Sequence, residues 1–300
     1  RVTGVNHLYL TRIEVARSLA VDASNNIWGT AVFDGPKGVI CLNNRGSIID
    51  TVAETFLTTA NGLPSNEIKT IVVDRSNAPA EGSTGKATGG FRCQFATEVN
   101  VRLSLLSREK LLRFNDEHGI DSGYLPYGYL FLIENADVRR ALLSAQTVQR
   151  ACGLTETKEV SLEEIRELVP SLNLEEVTGG VYCPTDGFIR PLNILSGYMQ
   201  SARRLGAEFK FGTECSRIVV KDNHISEVHA GRERISVGAV VNAAGAWAGR
   251  IADMAGEALC VTPLRRQVAV VREESPLPER TPMTVFVRDG FHFRVRDNRV

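Results

Sequence analysis

Neither sign of charge is in excess in this chain: Lys and Arg total 35, Asp and Glu total 35, and the formal net charge is zero. A balanced chain projects no overall field toward nucleic acid or an anionic membrane, so any charged ligand must be held by a local site. That excludes a nucleic-acid role. The six cysteines, Cys41, Cys93, Cys152, Cys183, Cys215 and Cys260, include no C-x-x-C pair, so neither a zinc site nor a disulfide framework is signalled, and reduced, mostly buried thiols are expected. No metal site is expected. Long apolar runs are also missing. The longest uncharged stretch, Ile235 to Gly249, is interrupted by Asn242 and glycines and is shorter than the ~20 apolar residues of a spanning helix. No basic and then apolar leader follows Arg1, so the sequence is read as a cytoplasmic protein cut from a longer reading frame. What is present is a globular composition, 43% hydrophobic over 300 residues, sufficient for one large α/β domain or two smaller ones.

The first seventy residues carry an internal echo. Arg17 to Asn25 aligns with Lys69 to Asn77, each a run of β-formers stopped by an Asp-x-Ser-Asn turn, as in a strand ending in a tight turn. Ile27 to Thr30 continues the first copy as a second short strand, and a hairpin is expected between Leu19 to Asp22 and Ile27 to Thr30 around Asn25-Asn26. The spacing is close to the ~40–50-residue period of propeller blades. With Asn61-Gly-Leu-Pro-Ser-Asn66, residues 16 to 74 resemble the blade repeat of two-component-regulator β-propellers. This resemblance implies a β-rich, propeller-like segment over 1–70 and, as an alternative function, a non-enzymatic sensory or interaction module.

From Ile71 a different chemistry is written. Ile71-Val-Val-Asp74 is an apolar strand ending in an acid. In a dinucleotide-binding fold, such an acid accepts hydrogen bonds from the adenosine ribose hydroxyls. Gly82-Ser-Thr-Gly-Lys-Ala-Thr-Gly-Gly90 follows. A phosphate-binding P-loop is a poor account of it, because Ala80 replaces the first glycine and Ala87 the magnesium-binding hydroxyl. A surface glycine loop would account for this run taken alone.

Further elements follow in an informative order. Leu103 to Asn115 has helical spacing, Tyr127 to Ile133 predicts a buried strand, and Asp137 to Cys152 predicts a helix. Ser161-Leu-Glu-Glu164 carries a capping box, Gly180 to Pro184 a strand, and Thr185 to Pro191 a turn. Pro191 begins a long amphipathic helix that Gly206 can cap. Short strands are expected at Glu208 to Phe211, Arg217 to Val220 and Ile225 to His229, about an Asp222-Asn223 turn. Gly238 to Ala248 then runs an apolar strand into Ala-Ala-Gly-Ala-Trp, where no bulky side chain bars the backbone from a cofactor. Val240 to Ala246 is expected as a strand in the sheet of Ile71 to Asp74. Val268 to Val271 and Phe291 to Val300 close the series as strands.

Asp74-Arg-Ser76, Gly82 to Gly85, Gly89-Gly90-x-Arg92, Ala243 to Trp247 and Pro263 to Gln267 are together similar to the D-amino-acid oxidase superfamily, which includes sarcosine oxidases and dehydrogenases, glycine oxidase and proline dehydrogenase β-type subunits. The resemblance covers about residues 71 to 300. It implies an α/β (α+β) fold with an incomplete FAD-binding Rossmann-type domain and an antiparallel-sheet substrate domain, the FAD-contact parts at about 71–95 and 191–260 and the substrate-domain parts at about 124–190 and 261–300. FAD would then meet Asp74, Arg75, Gly82, Ser83, Thr84, Gly85, Gly89, Gly90, Ala243, Ala244, Gly245 and Trp247. The implied reaction is oxidation of the C–N bond of a small amine or amino acid, with room for a partner subunit. A substrate carboxylate needs a fork-shaped cation. Arg92 is the best-placed one, with Arg190 and Arg265 behind it, although an ordinary ion pair accounts for each equally well. No general acid or base is identified. The G-x-G-x-x-G turn that should precede Asp74 by about thirty residues is missing, since only isolated glycines such as Gly35, Gly38, Gly46 and Gly62 occur there.

Overall fold

The computed structural model describes residues 70–271, 277–297 and 299–300, together with the backbone of three short strands near the N-terminus. Those strands, β1 (Leu19–Val21), β2 (Ile27–Ala31) and β3 (Gly38–Leu42), form an antiparallel sheet in sequence order. The pairing of β1 with β2 is the one expected, with Val21 opposite Ile27. The sheet is open and three-stranded, and no ring of blades occurs among the described residues. The propeller assignment therefore finds no support. Asn61 to Asn66, its most specific run, lies outside the described residues.

From Thr70 the first elements are β4 (Ile71–Val73), α1 (Ser83–Lys86), β5 (Gly90–Phe91), α2 (Glu98–His118), β6 (Tyr129–Ile133), α3 (Ala136–Ala151), β7 (Lys158–Val160), α4 (Leu162–Leu168), β8 (Gly179–Cys183) and β9 (Gly187–Phe188). There follow α5 (Pro191–Arg204), β10 (Glu208–Lys210), β11 (Cys215–Lys221), β12 (His224–Ala230), β13 (Glu233–Ser236), a 3-10 turn at Gly245–Trp247, α6 (Ala248–Met254), β14 (Met283–Phe286) and β15 (His292–Phe293). Two compact units result. The first takes Arg1–Pro79 and Gly206–Arg265, the second Ala80–Leu205 and Arg266–Val300.

In the first unit β4 runs parallel to β10, Ile71 opposite Glu208. The ladder continues into the turns, where Asp74 N donates to Lys210 O at 3.0 Å and Thr213 N to Asp74 O at 2.9 Å. β11, β12 and β13 form an antiparallel meander. Its first turn uses Asp222 and Asn223 at φ 50 and 62, the left-handed conformation that a two-residue hairpin demands and that Asn and Asp tolerate. Ile218, Val228 and Ala230 form a small core, with Val73, Val240, Ile251 and Met254 packed against it.

The second unit is built on a five-stranded sheet, ordered β15-β14-β6-β8-β7. All five residues of β6 are buried, and their alternation feeds two cores. Leu130 and Leu132 meet Val160, Ile165, Val169 and Val177 on one face, while Tyr129 and Phe131 meet Phe188 and Met283 on the other. Helix starts follow the local sequence. Asn135 Oδ1 accepts from Asp137 N at 3.0 Å and Val138 N at 2.9 Å, the Ser161–Glu164 capping box forms as expected, and Pro191 occupies the first turn of α5. Gly206, at φ 88, follows the last turn.

Four expectations are corrected. The sheet of this unit is mixed, not wholly antiparallel, because β14 pairs parallel with β6, Met283 opposite Tyr129; a parallel partner arrives only by a long crossover, and the intervening chain supplies it. Val240 to Ala246 forms no strand. It is irregular chain running into the Gly245–Trp247 turn, and among the described residues no backbone ladder reaches it, without which strand geometry is not stabilised. Val268 to Val271 likewise stays irregular, tied at one point by Val271 N donating to Val300 O at 2.8 Å. The last segment keeps only β15 and a bridge between Arg296 and Arg299.

Candidate functional site

The expected cofactor residues fall in both units. In the first, Asp74 leaves the C-terminal end of β4 half-buried, and its Oδ1 accepts from Ser76 N at 2.8 Å. That leaves Oδ2 without a described donor, an acceptor suited to ribose hydroxyls. The Arg75 guanidinium lies 3.9 Å from the Trp247 ring centroid, so two of the residues singled out from sequence are brought together across the fold. Ala243, Ala244 and Gly245 precede Trp247 on a stretch pinned by Asn242, whose Nδ2 donates to Ala248 O at 2.8 Å and whose Oδ1 accepts from Ala244 N at 3.3 Å. Gly245 adopts φ 53, and an added Cβ there would meet nothing within 4 Å.

In the second unit the glycine-rich loop is explained position by position. Around Gly82 a Cβ would meet open space, whereas at Gly85 it would lie 2.0 Å from Ala80 O, at Gly89 2.5 Å from Ile189 O, and at Gly90 2.1 Å from the Tyr129 hydroxyl. Gly85, Gly89 and Gly90 are therefore demanded by this protein's own packing, and Gly89 also by its φ of 78. Gly82, where no neighbour requires a glycine, leaves backbone open to a ligand. Ser83 and Thr84 are exposed on α1.

Arg92 is half-buried, its guanidinium 4.5 Å from the Phe95 ring centroid and 5.3 Å from that of Phe131. Of the weaker arginines, Arg190 is exposed and 3.9 Å from Asp297, and Arg265 is exposed on irregular chain. Neither faces an aromatic wall among the described contacts. Sequence reasoning missed a better-built cation. Arg294 lies 3.8 Å from the Phe188 ring centroid, donates from Nη1 to Thr88 O, and keeps a buried Nε with no described partner. Burial, and then repulsion from Arg296, pull its pKa down to about 10. Tyr129 was missed as well. Burial pushes its phenol up to about 12, against the opposing pull of Arg92 and Arg294, so it holds its proton as a donor at neutral pH. Tyr129 sits within an unbroken apolar strand and Arg294 just after β15 in an alternating run, where sequence offers no sign that the two polar tips come together. Two guanidiniums, a phenol and a lining of Phe95, Phe131 and Phe188 form an arrangement that can bind a small carboxylate against an apolar body.

The donor set fits FAD in part. An acid at the end of a short apolar strand and glycines with open space around them are present, while the 73 residues before Asp74 contain no G-x-G-x-x-G run to cradle a pyrophosphate. No cluster of metal-binding side chains occurs among the described residues, and no helix there is long and apolar enough to cross a membrane.

The profile of the family described as DAO, FAD dependent oxidoreductase, matches residues 57–300. "FAD-dependent oxidoreductase domain-containing protein 1" of Bos taurus is 31% identical over 219 residues, 63% of this chain and 44% of that protein. Mitochondrial dimethylglycine dehydrogenase of Homo sapiens is 25% identical over 231 residues, 76% of this chain and 26% of that protein. The chain thus spans less than half the length of these curated relatives. The mitochondrial placement in the second name gives no support to a cytoplasmic location. Among solved structures, L-proline dehydrogenase from P. horikoshii aligns over 77% of this chain and 68% of its own, with a TM-score of 0.64 and 24% identity. Glycine oxidase from Geobacillus kaustophilus aligns over 77% and 62%, with a TM-score of 0.64 and 22% identity. Those two show the mixed α/β fold alone; by the family match, which covers most of its length, the chain belongs to the DAO family of FAD-dependent oxidoreductases.

Proposed function

We propose that this chain is part of a flavoenzyme that oxidises the C–N bond of a small amine or amino acid, sarcosine-, glycine- or proline-like in size. The observation that carries the reading is the aromatic-lined pair Arg92 and Arg294 about Tyr129. A planar guanidinium binds a carboxylate through two parallel hydrogen bonds, and one with an unpaired buried N–H gains most from a ligand that satisfies it. Tyr129, protonated, adds a donor. The apolar rings beside them suit the hydrocarbon part of the substrate and a neutral amine. FAD, when bound, supplies the hydride acceptor. Asp74, Arg75, Gly82, Ser83, Thr84, Gly85, Gly89, Gly90, Ala243, Ala244, Gly245 and Trp247 are proposed to hold it, Asp74 at the ribose and Gly82 and Gly245 where backbone is open. Orienting the substrate and excluding water are the protein's own contributions. A partner subunit remains part of the proposal.

The test is titration of the purified chain with FAD, followed by anaerobic addition of sarcosine, glycine or L-proline. Without the glycine-rich turn the pyrophosphate loses several charge-assisted bonds of roughly 1.5–3 kcal/mol each. At ~1.4 kcal/mol per tenfold, affinity for FAD is expected to be weaker than micromolar by orders of magnitude. With FAD in excess, the bound fraction should bleach with at least one of these amines, and Arg92→Gln or Arg294→Gln should raise its half-saturating concentration at least tenfold, on the order of a lost charged bond. Bound flavin that none of the three amines bleaches would overturn the reading.

A further inference from the structure

Asp186 is fully buried and forms no ion pair among the described residues. A carboxylate without a cation is costly to bury unless hydrogen bonds replace its water. Here they come from one short segment of chain more than ninety positions away. Cys93 N donates to Oδ1 at 2.7 Å, and Gln94 N and Nε2 donate to Oδ2 at 3.3 and 3.2 Å. Gln94 Nε2 reaches Tyr129 O at 3.2 Å as well. The two residues bearing these bonds directly follow Arg92.

The local backbone cannot fix Arg92 unaided. β5 and β9 share only the pairs Gly90 with Phe188 and Phe91 with Gly187, and the ladder ends before Arg92. The Asp186 carboxylate continues the connection where the ladder stops, since Asp186 itself directly precedes β9. Its own turn is braced from α2. Arg108 Nη1 donates to Thr185 Oγ1 at 2.6 Å and to Glu156 Oε1 at 3.0 Å, and the Tyr124 hydroxyl donates to Thr185 O.

We propose that Asp186 is a positioning residue: its buried carboxylate clamps the Cys93-Gln94 backbone and thereby presents the Arg92 guanidinium, held between Phe95 and Phe131, to a carboxylate ligand. The ligand part rests on the reading of Arg92 given above. Asp186→Asn preserves the shape but replaces one acceptor oxygen with an NH2 that faces the donors of Gln94. Thr185→Val leaves the carboxylate in place and removes the hydroxyl that ties its turn to Arg108.

The experiment uses the isotope-labelled chain, with acetate as the probe. Hydrogen exchange is read at the Cys93 and Gln94 amides, the Arg92 Nε–H resonance is followed directly, and acetate affinity is taken from its shift. In Asp186→Asn the two amides should exchange at least tenfold faster, the Arg92 resonance should move, and acetate should bind about tenfold more weakly, each tenfold corresponding to ~1.4 kcal/mol. Leu130 to Ile133 amides should stay protected, which separates this effect from general loosening. Thr185→Val should show the same changes at smaller size, and carries the test if Asp186→Asn does not fold. Unchanged amides and an unchanged Arg92 resonance in a folded variant would overturn the positioning role. If Arg92→Gln leaves acetate affinity as it was, the carboxylate reading of Arg92 falls, and the positioning role is then judged on the amides and the Arg92 resonance alone.

Discussion

The two units differ in the size of the apolar core that their described residues bury. The second closes both faces of its sheet: Leu130, Leu132, Ile133, Ile165 and Val181 are all at or below 2% exposure. In the first, the buried cluster among the described residues is Ile218, Val228 and Ala230, while Val241 is 50% exposed, Trp247 42%, Val261 44% and Leu264 71%. Of these, Val241 lies in an expected strand that did not form, Val240 to Ala246; the other such stretch, Val268 to Val271, belongs to the second unit, with Val268 60% and Val270 65% exposed. A unit with a closed core can hold Arg92, Tyr129 and Arg294 in fixed geometry. One with its apolar stretches in the open can offer Asp74 and the Arg75–Trp247 contact on a lighter frame.

The largest effect should come from the closed core. Leu132→Ala is expected to destabilise the second unit by about 2–5 kcal/mol, while Ile218→Ala in the first should cost at or below the low end of that range, because a small, open-sided cluster can relax around the lost methyls. Urea unfolding followed by hydrogen exchange at amides of each unit measures both, and equal losses would erase the distinction.

The site within the closed unit should show its burial in alkali. The Tyr129 phenol is raised from 10.0 to about 12, so its contribution is complete below pH 10 and is lost as pH rises through the folded value. Wild type should lose roughly 2 kcal/mol more than Tyr129→Phe across that window, because each tenfold difference in proton affinity between the folded and unfolded phenol is worth ~1.4 kcal/mol. Denaturant midpoints from about pH 9 to about 12 decide it, and parallel curves for the two proteins would mean that the phenol is open to water.

The smallest effect is expected in the open unit. Trp247→Ala removes a cation–π contact worth ~0.5–1 kcal/mol at an exposed site, and should change stability no more than that while speeding hydrogen exchange near Ser76. A loss several times larger would show that Trp247 seals a core and does not merely stack on Arg75.

Some of this was readable in the residues because the causes are local. A period of 3.6 in α2, the Ser161 cap, Pro191 at a helix start and the Asp222-Asn223 turn each act within a few positions, and each formed where expected. Asp74 and the Gly82 to Gly90 run could be found because a dinucleotide-type strand ends in an acid and small residues open the backbone. Their resemblance to the superfamily agreed with the family match. Where an expected element depended on a distant partner, local pattern misled. The apolar run at Val240 to Ala246 has strand composition but no ladder among the described residues, and β14 took a parallel partner from the far side of the chain.

By itself, then, the sequence determined the helices with their caps, the locally paired strands and the Asp222-Asn223 turn, that no charge excess or cysteine pattern sets the chemistry, and that a flavoprotein-like acid and glycine loop are present. Only the tertiary structure decided that Gly85, Gly89 and Gly90 answer to Ala80, Ile189 and Tyr129, that Arg92 and Arg294 come to one phenol, each on its own aromatic wall, and that Asp186 holds Cys93 and Gln94. Propensity and periodicity act over a few residues, whereas a Cβ clash, a guanidinium on a ring or a buried carboxylate and its donors exist only once the backbone has folded and brought the partners within van der Waals reach.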